Sequence, residues 1–157
     1  MGSLVLPTSG RVYVDANTII YRVERVEPYL SRTALLWDSL RNRQIDVCTS
    51  ELSFLEVVVK PLRLQDDMLY GLFQRILYDV IGFATLPISL AILARAAQLR
   101  ASTSLKTPDA IHAATALEAG CMPKPISSIT RRCTMPPGAR CHAPIPVLRS
   151  LAPRTSR

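Results

Sequence analysis

The constraint that most limits how this chain can fold is an alternation of short apolar runs with longer helical stretches, maintained from residue 11 to about residue 120. Residues 11–15, 45–48 and 83–86 are apolar and short enough to be strands, and each gap between them is long enough for one or two helices. Strands joined by helices rather than tight turns must run parallel, with helices packed on both faces. The spacing predicts helices over 17–25, over 29–41 with Leu35, Leu36 and Leu40 on one face, and over 87–101. Ser50 is expected to cap a further helix that runs to about Val59 and stops at Pro61. Asp66 is expected to open one reaching Ile81, with Gly82 as its terminator. The last helix spans 107–119, with Thr107 as cap, Pro108 in the first turn and Gly120 at the end. The expected fold class is therefore α/β, a three-layer α/β/α domain around a central parallel sheet of four to five short strands.

Composition changes abruptly near Cys121. Residues 1–121 carry twelve Lys/Arg against twelve Asp/Glu and are neutral, whereas residues 122–157 carry seven basic residues and no acid, so the net charge of +7 belongs wholly to the tail. The same tail holds seven of the twelve prolines, a density that leaves no room for a long helix or a central strand. Two units are expected: a folded domain over 1–121 and an irregular basic, Pro-rich tail over 122–157, with one short strand near 145–148. A single domain of this length with 48% hydrophobic residues can bury a substantial core. With no leader-like start and no apolar run of membrane-spanning length, the expected location is the cytoplasm.

Three carboxylates stand in contexts that would deliver them to one place. Asp15 closes the first strand, at the carboxyl end where open parallel sheets collect ligands, and the polar Asn17 and Thr18 follow at once. Helix capping explains Asp15 equally well. Glu56 lies inside the apolar run Phe54-Leu55-Glu56-Val57-Val58-Val59, where neither a cap nor the helix dipole accounts for an acid. It is either a partly exposed face residue or a carboxylate that needs a metal or a basic partner. Asp109 sits in the first turn of an almost wholly apolar helix, where the macrodipole favours it and where it would also point into a cleft. His112, one turn on, is expected to be packed or hydrogen-bonded rather than a ligand. Acids that converge without nearby bases imply a hard divalent cation.

Four segments in order carry a family resemblance: Val12-Tyr13-Val14-Asp15-Ala16-Asn17, Thr49-Ser50-Glu51-Leu52-Ser53-Phe54-Leu55-Glu56-Val57, Ala96-Ala97-Gln98-Leu99-Arg100, and Leu105-Lys106-Thr107-Pro108-Asp109-Ala110-Ile111-His112-Ala113-Ala114 continuing to Gly120. Over residues 11–121 the chain resembles a PIN domain of the VapC toxin type. The resemblance implies a Mg2+- or Mn2+-dependent ribonuclease that cuts RNA with metal-activated water and is held by a protein antitoxin, with homodimerisation also expected. It assigns Asp15, Glu56 and Asp109 as catalytic metal ligands and Asn17 as their polar support.

The family pattern supplies a further acid from a strand and turn after the last helix. Here the corresponding stretch, Met122 to Arg132, offers only Ser128 or Thr130, and no Asp or Glu follows Glu118. Two readings of the tail stand side by side, one a diverged RNA-binding extension and the other the product of a shifted frame or decayed gene. The second functional expectation is accordingly a weak or inactive PIN-like domain that binds antitoxin, RNA or itself. A third, an unrelated α/β protein with three structural acids, would require Glu56 to be solvated and far from the other two. Cys133, Cys141 and His142 lack the short ligand spacing of a structural zinc site, no glycine-rich phosphate loop is present, and the four cysteines are expected as free thiols.

Overall fold

The computed structural model describes residues 6–121. Three parallel strands, β1 (Arg11–Tyr13), β2 (Asp46–Ser50) and β3 (Phe83–Leu86), pair in the order β1-β2-β3. Helices α1 (Ala16–Val23) and α2 (Tyr29–Arg41) connect the first two. Helix α3 (Glu51–Leu64), helix α4 (Asp67–Gln74) and a π-helical turn (Arg75–Asp79) connect the second pair, and α5 (Leu90–Ser102) and α6 (Thr107–Glu118) follow. No helix among the described residues is long and apolar enough to cross a membrane.

Strand register separates the two faces. Val12, Val47 and Phe83 lie in one row across the sheet, and Tyr13, Cys48 and Ala84 in the next. Because side chains alternate along a strand, the two rows point to opposite sides. The first row joins the main core, with Val14, Ile19 from α1, Leu36 and Leu40 from α2, Val57 from α3, Phe73 from α4 and Leu77 from the π turn. The second row meets α6 through Ala116 and Ala119, and α6 packs in turn on α5 through Ala110, Ala114, Ile92, Ala96 and Leu99. Helices therefore cover both faces of a parallel sheet, as the alternation required.

Several boundaries differ from the sequence expectations. Three strands, not four to five, lie within the described residues, and the strand expected near 145–148 falls outside them. β1 ends at Tyr13 rather than residue 15, because Asp15 has already turned to cap α1; β2 starts one residue later than expected and extends to Ser50. α1 begins at Ala16 and stops at Val23, and Arg25 takes a left-handed φ of 57°. On α2, Leu36 and Leu40 are buried while Leu35 is 54% exposed, since four-residue spacing keeps a face and one-residue spacing leaves it. α3 runs through Pro61 to Leu64, the lost amide bond being offset by complete burial of the ring. The helix expected over 66–81 opens with its Asp66 cap but widens into the π turn, where the Thr85 hydroxyl of β3 donates to the Leu77 carbonyl at 2.7 Å. α5 starts after its Ser89 cap, not at Pro87, and α6 is entered from Lys106 with Thr107 already helical, so no side-chain cap forms there.

A glycine turn closes the end of α6. Gly120 adopts φ +65°, its amide bonds back to the Leu117 carbonyl, and the Cys121 amide bonds to the Ala116 carbonyl at 3.1 Å. That pair of bonds is a Schellman turn, which folds Cys121 back under the helix. A Cβ at position 120 would meet nothing within 4 Å, so the obstacle to a larger residue is the left-handed backbone. Gly120→Ala should therefore lower stability by about 1–2 kcal/mol, read as a lower urea midpoint at unchanged slope; an unchanged midpoint would show that the turn is not what holds Cys121.

Candidate active site

The elements that carry the three acids are held at one point by a chain of hydrogen bonds. Tyr13, on the α6 side of the sheet, places its hydroxyl 2.7 Å from Nδ1 of His112 on α6. The Ser50 amide, at the junction of β2 and α3, donates to the same hydroxyl at 3.1 Å. His112 Nε2 lies 2.9 Å from Oε2 of Glu56 on α3. The proton placement that satisfies every group has Nε2–H donating to the Glu56 carboxylate and the Tyr13 hydroxyl donating to Nδ1. Burial pushes the Tyr13 phenol far above its ordinary range, a rise only partly opposed by its polar neighbours, among them the Ser50 amide.

Each expected site residue has a defined position. Asp15 caps α1, with Oδ1 accepting from the Thr18 amide at 2.9 Å and the Thr18 hydroxyl at 2.8 Å. The strand exit that bears it is tied down by Thr49 of β2, whose hydroxyl donates to the Val14 carbonyl at 2.8 Å and contacts the Ser53 hydroxyl of α3 at 2.6 Å. Glu56 is exposed to solvent on α3, as a helix-face residue would be, and its carboxylate is oriented by His112. Asp109 is exposed in the first turn of α6, three residues before His112 and so on the same side of that helix. Asn17 is exposed in the first turn of α1. Ser128 and Thr130 lie outside the described residues.

The donor set suits a hard cation in kind, since it is made of carboxylate oxygens, and Glu56 is braced by a hydrogen bond in the manner of ligating carboxylates. It is not gathered into a trio: among the described residues no three His, Cys, Asp or Glu side chains are grouped to hold one ion. Tyr13 is the member that sequence reasoning missed, having been taken only as part of a strand. The signal was present, because alternation sets Tyr13 on the face opposite Val12 and Val14, where a buried phenol needs a partner.

A three-layer parallel α/β domain with one acid at a strand exit and two on neighbouring helices defines a class, and comparison with known proteins identifies it. The PIN domain family model matches residues 12–122, more than half of the chain, and the chain belongs to the PIN domain family. PIN domains are in general nucleases and in general depend on a divalent metal. Two solved structures are similar. A toxin–antitoxin complex from Klebsiella pneumoniae is 25% identical, with 70% of this chain and 81% of that chain covered, at a TM-score of 0.48. VapBC2 from Rickettsia felis bound to a DNA fragment from its promoter is 12% identical, with 71% of this chain and 83% of that chain covered, at a TM-score of 0.54, which is a likeness of fold. No curated protein gives a significant match.

Removing the Tyr13 hydroxyl would leave the buried Ser50 amide and His112 Nδ1 without their partner. Tyr13→Phe should cost about 1–3 kcal/mol, measured by urea unfolding near neutral pH. The pH dependence has a definite sign. A phenol whose folded pKa is raised stabilises the fold fully below its ordinary pKa of 10.0, and this contribution is lost progressively as pH rises beyond that value. The wild-type protein should thus lose stability more steeply above that pH than Tyr13→Phe does. Parallel alkaline profiles would refute the burial of this hydroxyl.

Proposed function

We propose that the chain is an endoribonuclease of the toxin–antitoxin type, cutting single-stranded RNA with Mg2+ or Mn2+ bound by Asp15, Asp109 and Glu56. The observation that carries this reading is the Glu56–His112–Tyr13–Ser50 chain, which draws together the three elements bearing the acids in a member of the PIN family. When bound, such a cation lowers the pKa of a bound water and offsets charge on the phosphate. The protein's own part is positional. Asp15 is fixed by its cap to Thr18, Glu56 is aimed by His112, and Asp109 is presented by a helix that packs against β2 and α3. Asn17 supports the first acid from the next residue but one.

A protein antitoxin or a second copy of the chain fits the apolar surface at the α3–α4 corner, where Leu62, Leu64 and Met68 are 61%, 64% and 80% exposed. The VapC-type motifs favour an antitoxin there. The folded unit in this reading is residues 1–121, acting in the cytoplasm, with the basic tail as an added phosphate-binding segment.

One observation favours a second reading, a weak or inactive PIN-like domain that retains only binding. The acids are not gathered as a trio, and the sequence has no acid after Glu118 to complete them. Incubating the full-length protein with a mixed single-stranded RNA pool, with and without Mg2+ or Mn2+, separates the two. The nuclease reading expects metal-dependent cutting that falls by more than about a hundredfold in Asp15→Ala and in Asp109→Ala. A folded protein that does not cut at any metal concentration would overturn it and leave the binding reading.

A further inference from the structure

The proposed nuclease site does not use the most unusual pair of side chains in the molecule. Cys48, at the centre of β2, and Cys121, at the exit of α6, lie 73 residues apart in sequence with their sulfurs 3.2 Å apart. Both are buried, and both are free thiols. They pack with Tyr13, Ala84, Leu86, Ala116 and Ala119. Three features of the backbone produce the approach. Parallel register sets Cys48 beside Tyr13 on the α6 side of the sheet, alanines at 116 and 119 let α6 come close, and the Schellman turn at Gly120 swings Cys121 inward.

We infer that Cys48 and Cys121 form a reversible intramolecular disulfide, a redox modification that clamps the end of α6 to the central strand. Closing the bond requires the sulfurs to move together by about 1 Å, a change within reach of small side-chain rotations. The two thiols are also differentiated for the exchange. Cys121 is shifted down by the hydrogen bond it receives from Cys48 and by the Arg11 charge, against an opposing shift from burial, while Cys48 is shifted up by that same hydrogen bond, by burial and by the neighbouring thiolate. Cys121, at the exit of α6, is the group that an opening there exposes and so the attacking one, and Cys48, inside the central strand, is the resolving one.

The co-reactant is a low-molecular-weight disulfide. Transient opening of the α6 exit exposes Cys121, whose thiolate attacks one sulfur of that disulfide, forming a mixed disulfide and expelling one small thiolate. Cys48 then loses its proton and attacks the Cys121 sulfur, forming the Cys48–Cys121 bond and expelling the second small thiolate. The two protein thiols together lose two protons and two electrons. The small disulfide takes up both electrons and, after protonation, leaves as two thiols.

The test uses full-length protein carrying Cys133→Ser and Cys141→Ser, so that only the buried pair can react, together with wild type. After incubation with oxidised glutathione, the inference expects a peptide map joining Cys48 to Cys121. It also expects a melting temperature raised by roughly 5–10 °C, with both changes reversed by dithiothreitol. Cys121→Ala in the same background keeps the core small and should show neither change. Differential alkylation that finds both thiols free, or a glutathione adduct on Cys121 that Cys48 never displaces, would overturn the inference. The readouts are mass and melting, so failure of the nuclease reading would leave this result standing, and the reverse holds as well.

Discussion

The buried hydroxyl of Tyr13 is the interaction on which the arrangement at this end of the fold depends. A phenol on a covered sheet face has to find partners, and here one oxygen serves a strand–helix junction through the Ser50 amide and a distant helix through His112. His112 passes the constraint to Glu56 on α3. One side chain on a three-residue strand thereby fixes how α3 and α6 approach each other. Leaving the Tyr13 hydroxyl or the Ser50 amide unpaired would strand a buried polar group, whereas the Glu56 end of the chain opens to solvent.

The same geometry explains why α6 is built from small residues. Ala110, Ala114, Ala116 and Ala119 allow it to lie close to α5 on one side and to the sheet on the other. A helix with larger side chains would stand further off, and neither the Tyr13–His112 bond nor the contact between Cys48 and Cys121 would form. The site side of the sheet is therefore thin and polar-braced, while the opposite side holds the bulk of the apolar core in Val12, Ile19, Leu36, Val47, Phe73 and Leu77.

Residue by residue, the sequence was most legible where local rules act alone. Asp66 and Ser50 cap helices because a short polar side chain before an apolar-periodic run can satisfy only the amides ahead of it. Pro61, the π turn after Gln74 and the entry to α6 departed from expectation because packing overrode propensity. A fully buried proline ring holds α3 helical past its break, and the Thr85 hydroxyl takes the Leu77 carbonyl at the widened turn. Asp15 was legible both as a cap and as a site acid, and the structure gives it the cap geometry while leaving it at the strand exit.

What the sequence determined by itself was the layered parallel architecture, the family, and the elements on which Asp15, Glu56 and Asp109 stand, since these follow from periodicity, spacing and motif along a single stretch of chain. Only the tertiary structure decided which groups meet. The Glu56–His112–Tyr13 chain links residues separated by 56 and 99 positions, and the Cys48–Cys121 pair links residues separated by 73. Such contacts depend on helix approach distance, strand register and the hand of one turn at Gly120, quantities that arise when the layers pack and that no local pattern encodes.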